Sequence, residues 1–405
     1  MLPDRTRCLI AGGGPAGLVT GYLLARAGID VVVLEKHADF LRDFRGDTIH
    51  PSTMDALAEL GLLEAFLALP HQEVKYAEGE IGGQHIRLAD FTRLPTRCKF
   101  IAFIPQLDFL NFLAAQARRY PNFTLAMEVE AVDLLRQGER VVGLHANTPS
   151  GPVSIGADLV IAADGRHSTL RRVAGLVAED FGAPMDVLWF KLARRADDEH
   201  AVLGRIEAGQ ALIRLDRGDY WQCALIIRKG MAEAVKAQGL EAFRARVAKL
   251  AGRLHVEEIQ SLDEVKLLTV TVDRLKRWHQ PGMLCIGDAA HAMSPVGGVG
   301  INLAIQDAIA TANILARPLR SGRLTEDDLQ RVQQRRTFPT WATQRFQIAI
   351  QNRVIDPVLR STADLKPPWV ARLVGRFPVL QGIPARLIGI GFRPEHVDLS
   401  AIDGR

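Results

Sequence analysis

Apolar residues recur along this chain with two different periods, and the alternation between them outlines a fold. Residues 7–11, RCLIA, make a short apolar run, the pattern of a strand buried on both faces. Residues 15–27 follow with the character of a helix. Pro15 suits a first helical turn, where its missing N–H costs nothing, and Gly28 suits the helix end. The β-branched run DVVVLE at 30–35 completes a strand–helix–strand unit of the kind that builds parallel sheets. Helices are predicted over 53–69 and over 106–119, where Leu107, Leu110, Phe112 and Leu113 supply the apolar stripe. Further buried strands are predicted at 158–163 and 283–286, the latter followed by a helix over 300–316. From 73 to 94 and from 182 to 271 the pattern changes to alternation with scattered glycines and one helix at 232–251, which points to antiparallel strands. Residues 326–405 read as helices punctuated by proline.

The predicted fold class is α/β with two interleaved parts. A doubly wound nucleotide-binding domain is assembled from 1–72, 98–181 and 272–345, with a mixed antiparallel sheet from 73–97 and 182–271 inserted into it. Residues 346–405 close the structure as a helical tail. Composition agrees, since 405 residues exceed one small core, and 48% hydrophobic with 24% charged residues excludes a disordered chain. The net charge of +4 is spread without a Lys/Arg block, so no nucleic-acid partner is expected. Cys8, Cys98, Cys223 and Cys285 form no CxxC, which argues against a metal site or disulfide framework and for a reducing, cytoplasmic compartment. Residues 8–25 carry no charge, but Gly12, Gly13, Gly14, Pro15, Gly17 and Gly21 break the run as no signal peptide or membrane span would be broken. The uncharged run 289–306 fails as a span for the same reason.

Three turns carry the chemistry. Gly12-Gly13-Gly14-Pro15-Ala16-Gly17 is a GxGxxG between a strand and a helix: Gly12 permits the tight turn, Gly14 lets a pyrophosphate approach backbone, and Gly17 lets helix and strand pack closely. Glu35, followed by Lys36, ends the next strand and offers a carboxylate to a ribose diol. This motif alone leaves NAD and FAD open. The run 283–291, MLCIGDAAH, ends a strand in Gly287-Asp288, placing a carboxylate at the carboxyl edge of the sheet within reach of a polyol such as a ribityl chain. Pro295, Gly297, Gly298 and Gly300 then uncover backbone before a helix beginning near Ile301, whose dipole would favour negative charge on the pyrimidine end of a flavin. Asp164-Gly165-Arg166 forms the third turn, beside the dinucleotide on one reading and a capping turn, with Ser168, on the other.

Taken together and in this order, the GxGxxG with Glu35, the turn at Asp164 and the turn at Asp288 resemble the single-component flavoprotein aromatic hydroxylases, the p-hydroxybenzoate hydroxylase-like monooxygenases, over roughly residues 6 to 345. The resemblance implies a Rossmann-like FAD-binding domain, non-covalent FAD, NADH or NADPH as reductant, and a flavin C4a-hydroperoxide that delivers one oxygen atom of O2 to an electron-rich ring. It also implies Arg45 and Gln106 as flavin contacts, Val129 on a strand whose backbone borders the adenine, and Pro295 on the reactive side of the flavin. The chain lacks the thioredoxin-like extension of the phenol hydroxylase branch and the GWxWxIP run of the halogenases. Such chemistry needs no nucleophile, triad or metal from the protein.

Substrate contacts are expected from the antiparallel sheet. In YWQCALIIR, Tyr220 and Gln222 share one face and Trp221 and Cys223 the other. Arg205, Arg214, Tyr220 and Gln222 are candidate pocket groups, each weighed against a place on the exposed strand surface, and no catalytic base stands out. His50 and His291 are candidate proton shuttles, His291 being the more structural, while Tyr76, Trp189 and Phe190 read as core with pocket lining as the alternative. The tail 379–392, VLQGIPARLIGIGF, docks on the body or meets a membrane surface, and monomer and homodimer are both compatible with the sequence.

Overall fold

In the computed structural model, residues 2–41, 48–195, 198, 204–252 and 254–403 are described. Strands from three distant stretches lie side by side in the larger sheet. Its parallel part runs in the order Met283–Cys285, Gly151–Ala162, Arg5–Ala11, Val31–Glu35, Phe123–Met127. Every residue of Val31–Glu35 is buried, as a strand covered on both faces requires. Glu130–Gln137, the strand that the resemblance implied around Val129, and Arg140–Thr148, which the sequence reading did not assign, extend this sheet by antiparallel pairing onto the first half of Gly151–Ala162. Helices Pro15–Arg26 and Gly300–Ser321 pack against each other over it.

The smaller sheet has seven strands in the order Lys266–Leu268, Met185–Ala193, Tyr220–Arg228, Gln210–Asp216, Gly204–Glu207, Tyr76–Ile81, Gln84–Asp90. All neighbours are antiparallel except Gly204–Glu207 beside Tyr76–Ile81. Residues 76–90 therefore join strands more than a hundred residues away. Gln72–Val74 does not: it pairs with Ile101–Phe103 in a separate three-stranded sheet that also holds Thr48–Ile49. The two faces of the seven-stranded sheet differ. Trp221, Cys223, Leu225 and Ile227 pack under the helix Leu240–Ala251, whereas Trp189, Ile213 and Leu215 pack towards Phe91, Phe103 and Ile388.

Two predicted helices are each broken. The 53–69 segment is Pro51–Glu59 and Leu63–Leu67, parted at Gly61, where φ of +74° leaves the helical region. The 232–251 segment is Ala232–Ala237 and Leu240–Ala251, parted at Gly239. The helix after Gly300 is longer than predicted and runs through Pro318 to Ser321. Among the described residues, Val296–Ser321 is long and apolar enough to cross a bilayer, but 78% of its most apolar window is buried inside the fold. All four cysteines are buried.

The C-terminal part is tied to this core by a buried charge network. Asp307, on the helix Gly300–Ser321, accepts from Arg336 Nε at 2.8 Å, and Arg336 Nη1 donates to Glu395 Oε1 at 3.0 Å. His291 Nε2 lies 2.6 Å from the other oxygen of Asp307, which also accepts the Gly287 N–H at 3.0 Å. Arg336 and Asp307 are fully buried. Burial alone would raise the Asp307 pKa, but His291 and Arg336 outweigh it and hold the carboxylate below its usual range. Removing one partner of such a set strands the others. Arg336→Met should therefore lower the unfolding free energy by about 3–5 kcal/mol in urea titrations at neutral pH. A carboxylate held down stabilises the fold above its unfolded pKa of about 3.9, and that stabilisation fades as acid protonates it. Asp307→Asn should accordingly flatten the acid limb of the stability–pH curve.

Candidate functional site

The glycine turn is built by close backbone approach at the carboxyl ends of the parallel strands. Gly12 has φ of +106°, and a Cβ there would drive into the Ala163 carbonyl, just before Asp164. A Cβ on Gly17 would collide with the Gly12 carbonyl, so the helix can lie on the turn only because Gly17 is bare. Gly14 differs from both: among the described residues nothing lies within 4 Å of where its Cβ would be, and no side chain caps the helix that follows. Pro15 opens that helix, and the space over Gly14 faces the positive end of its dipole. Glu35, buried at the end of its strand, accepts the Gly13 N–H at 3.0 Å and the His37 N–H at 3.0 Å, while Lys36 beside it is exposed.

The turn at Asp288 meets this corner. Gly287 has φ of +58°, and a Cβ there would stand 3.0 Å from the Ala16 Cβ and 3.3 Å from the Ala304 Cβ. The starts of the helices Pro15–Arg26 and Gly300–Ser321 are thereby brought within contact distance of one glycine. Asp288 is partly exposed there and accepts from Arg166 Nη2 at 3.3 Å, which links the second turn to the third. Asp164 itself is taken up locally: Ser168 Oγ donates to it at 2.5 Å and the Leu170 N–H at 3.1 Å, and burial pushes its pKa up despite these bonds. The capping alternative thus describes its contacts. Ser168 also caps the helix Thr169–Val173.

Pro295 and Gly298 lie in a loop, and Gly300 and Ile301 open the helix that follows; this stretch is held from two sides. Asn302 donates to the carbonyls of Thr48 and Gly298 and accepts from the His50 N–H and the Thr53 hydroxyl. From the other side three buried glutamines of the C-terminal helical run hold the chain. Gln344 donates to the Ala292 carbonyl, Gln347 to those of Ser294 and Val296, and Gln351 to the Ser294 hydroxyl. None of these four residues was singled out from the sequence. Their signal is a polar side chain inside an apolar helix for Asn302, and Gln at i, i+3 and i+7 for the others.

The remaining candidates divide. Val129 is buried and its N–H donates to the Glu35 carbonyl at 2.9 Å, but it lies in the link before the strand Glu130–Gln137 and not within it. Gln106 opens the helix Gln106–Ala117 that packs on Pro15–Arg26. Arg45 lies outside the described residues. Strand alternation puts Arg214 and Arg205 on the face that packs under the helix Leu240–Ala251. Arg214 stands opposite Cys223, lies near the Trp221 ring and donates to the Ala251 carbonyl, and Arg205 pairs with Glu80. Gln222 is on the other face, buried, with its carbonyl oxygen taking a bond from Arg217 Nε at 3.0 Å and its Nε2 without a hydrogen-bond partner. Tyr220 shares that face under Lys191, and Trp189 belongs to the adjoining apolar cluster, whereas Phe190 packs on Phe243 and is core. Tyr76 is stacked under Arg87. His50 is fully buried, its Nδ1 bonded to the Ile388 carbonyl, and burial pushes its pKa down to about 4. It is neutral at physiological pH and a weak base. His291 belongs to the Asp307 network.

The glutamine clamp predicts a measurable loss. Gln347→Leu leaves two buried carbonyls and the Ser294 N–H unpaired. It should cost about 1–3 kcal/mol of stability in chemical denaturation, with increased proteolytic cleavage near Ser294.

Comparison with known proteins agrees with this geometry. A family described as FAD binding domain matches residues 5–347. The 6-methylpretetramide 4-monooxygenase of Streptomyces rimosus is 32% identical over 388 residues, covering 95% of this chain and 92% of that protein. The para-nitrophenol 4-monooxygenase of Pseudomonas sp. strain WBC-3 is 25% identical over 82% of this chain and 83% of its own. Among solved structures, a probable FAD-dependent monooxygenase from Pseudomonas aeruginosa superposes with a TM-score of 0.73 at 22% identity, covering 88% of this chain and 98% of that one. The p-nitrophenol 4-monooxygenase of Pseudomonas putida DLL-E4 does so with a TM-score of 0.71 at 20% identity, over 94% and 99%. With its glycine and carboxylate turns gathered at one end of a parallel sheet, the chain belongs to the FAD-binding family of single-component flavoprotein aromatic hydroxylases, and it is an FAD-dependent oxidoreductase.

Proposed function

We propose that this enzyme uses NADH or NADPH and O2 to hydroxylate an aromatic or heteroaromatic small molecule, with FAD held non-covalently. The observation that carries this reading is the meeting of Ala16 with Gly287 and of Arg166 with Asp288, which aims three separate turns at one place. FAD held there would supply the two-electron chemistry that couples oxidation of the nicotinamide to reduction of O2, one oxygen atom entering the ring and the other leaving as water.

Residues of this chain fit the cofactor in parts. The bare space over Gly14 and the uncapped helix start at Ala16 suit a diphosphate. The Glu35 carboxylate, which ends its strand beside the glycine turn and accepts the Gly13 N–H, suits a ribose diol. Asp288, partly exposed, suits a polyol chain, and the backbone from Pro295 to Ile301 presents a helix start to an electron-rich ring system. In this reading 1–72, 98–181 and 272–345 hold the cofactor, and 73–97 with 182–271 roof the substrate. Gln222 Nε2, buried and without a partner among the described residues, on the face that carries the apolar cluster of Trp189, Ile213, Leu215 and Phe103, would donate to a substrate oxygen. The apolar surroundings exclude water from the reacting ring.

Gly14→Ala should fold with an unchanged apoprotein melting curve, because the methyl meets nothing. It should raise the FAD dissociation constant at least about tenfold by occupying the diphosphate space. Asp288→Ala should purify largely colourless; full FAD loading would remove Asp288 from the site. Gln222→Leu should keep its FAD and lower the product formed per NAD(P)H consumed. Turnover under labelled dioxygen decides the reaction class, since a product carrying no label means electrons reach O2 without oxygen insertion.

A further inference from the structure

The two helices near the C-terminus are inside out. In Trp369–Arg376 and Pro378–Gly389 the small residues face the body. Gly375 lies where a Cβ would come within 3.0 Å of Ile86, Ala385 is fully buried, and Gly389 packs on Leu94. Gln381 fastens the pair by donating to the carbonyls of Val374 and Gly375. Six large apolar side chains point to solvent: Trp369, Val370, Leu373 and Phe377 form one stripe, continued by Val379 and Ile383 on the second helix. Trp369 is 69% exposed and Val379 77%. An amphipathic helix that merely docked on the body would turn this stripe inward.

Charge beside the stripe is of one sign. Residues 365–394 contain Lys366, Arg372, Arg376, Arg386 and Arg393 and no acidic residue. Between the first helix and the strand Gln84–Asp90 lies a groove of about 570 Å3 lined by Arg87, Arg93, Arg372 and Arg376. Arg87 and Arg93 are held by Glu78 and Asp90, whereas Arg372 and Arg376 have no ion-pair partner among the described residues. A second copy meeting this surface about a two-fold axis would set these cations against their own equivalents, which is repulsive. The counter-surface must be apolar at depth and anionic at its boundary. We propose that the helices 369–389 seat the enzyme on an anionic lipid bilayer, with the stripe entering the acyl boundary and Arg372 and Arg376 engaging headgroup phosphates. On its inner side the second helix brings Ile388 to the apolar cluster that adjoins Gln222, so a lipophilic substrate in the bilayer would lie one helix away from that cluster.

The test is cosedimentation of the FAD-loaded protein with vesicles of phosphatidylcholine alone and with about one-third phosphatidylglycerol. The protein should pellet only with the anionic vesicles and be released by about 1 M salt. Leu373→Glu/Val379→Glu and, separately, Arg372→Glu/Arg376→Glu should each lower the bound fraction at least about tenfold, with FAD content unchanged. Pelleting no greater than with phosphatidylcholine alone overturns the proposal, as does undiminished binding by both variants. A dimer in size-exclusion chromatography that Leu373→Glu/Val379→Glu breaks also overturns it, assigning the stripe to a second copy. None of these readouts depends on the identity of the aromatic substrate.

Discussion

Backbone has to touch backbone at the carboxyl ends of the parallel strands, and the rest of the site follows from that constraint. Gly17 must be bare for its helix to lie against Gly12, and Gly287 must be bare to lie between Ala16 and Ala304. Two helix starts then share one corner, and each leaves N–H groups that no side chain caps. A Cβ on Gly17 would collide with the Gly12 carbonyl oxygen and force its helix off the turn, whereas one on Gly287, 3.0 Å from the Ala16 Cβ, would press the neighbouring helices back by less. The corner therefore has the two properties an anionic dinucleotide needs, uncovered donors and converging positive helix ends.

What holds this corner in place comes largely from elsewhere in the chain. Asp307 links the Gly287 N–H to Arg336 and, through it, to Glu395, so the last part of the chain braces the turn that carries Asp288. Three glutamines on the C-terminal helical run do the same for the loop around Pro295 without introducing charge. The C-terminal helices have a divided role. Their inner sides complete the apolar cluster beside Gln222, while their outer sides carry apolar surface that the fold itself leaves uncovered.

The turns were legible in the sequence because each is local. A glycine at a tight turn, a proline at a helix start and an acid at a strand end act over a few residues, so spacing alone locates them. The elements misread were those whose boundaries depend on partners. The hairpin at 130–148 forms by pairing with 151–156, and Gln72–Val74 is drawn out of the seven-stranded sheet by Ile101–Phe103. Arg214 looked like a pocket group until register placed it opposite Cys223, on the face covered by Leu240–Ala251.

The amino-acid sequence by itself determined the strand–helix–strand unit, the three turns and the α/β class, since these rest on backbone preference and periodicity within short windows. Only the tertiary structure decided that the turns converge, that Asp164 is consumed by its own cap, and that Asp307, Arg336 and Glu395 form one buried set. It also decided which way the last two helices face. The reason is physical: convergence, burial and facing are set by which surfaces of the folded chain meet, and periodicity along a chain contains no record of which surface a stripe will meet.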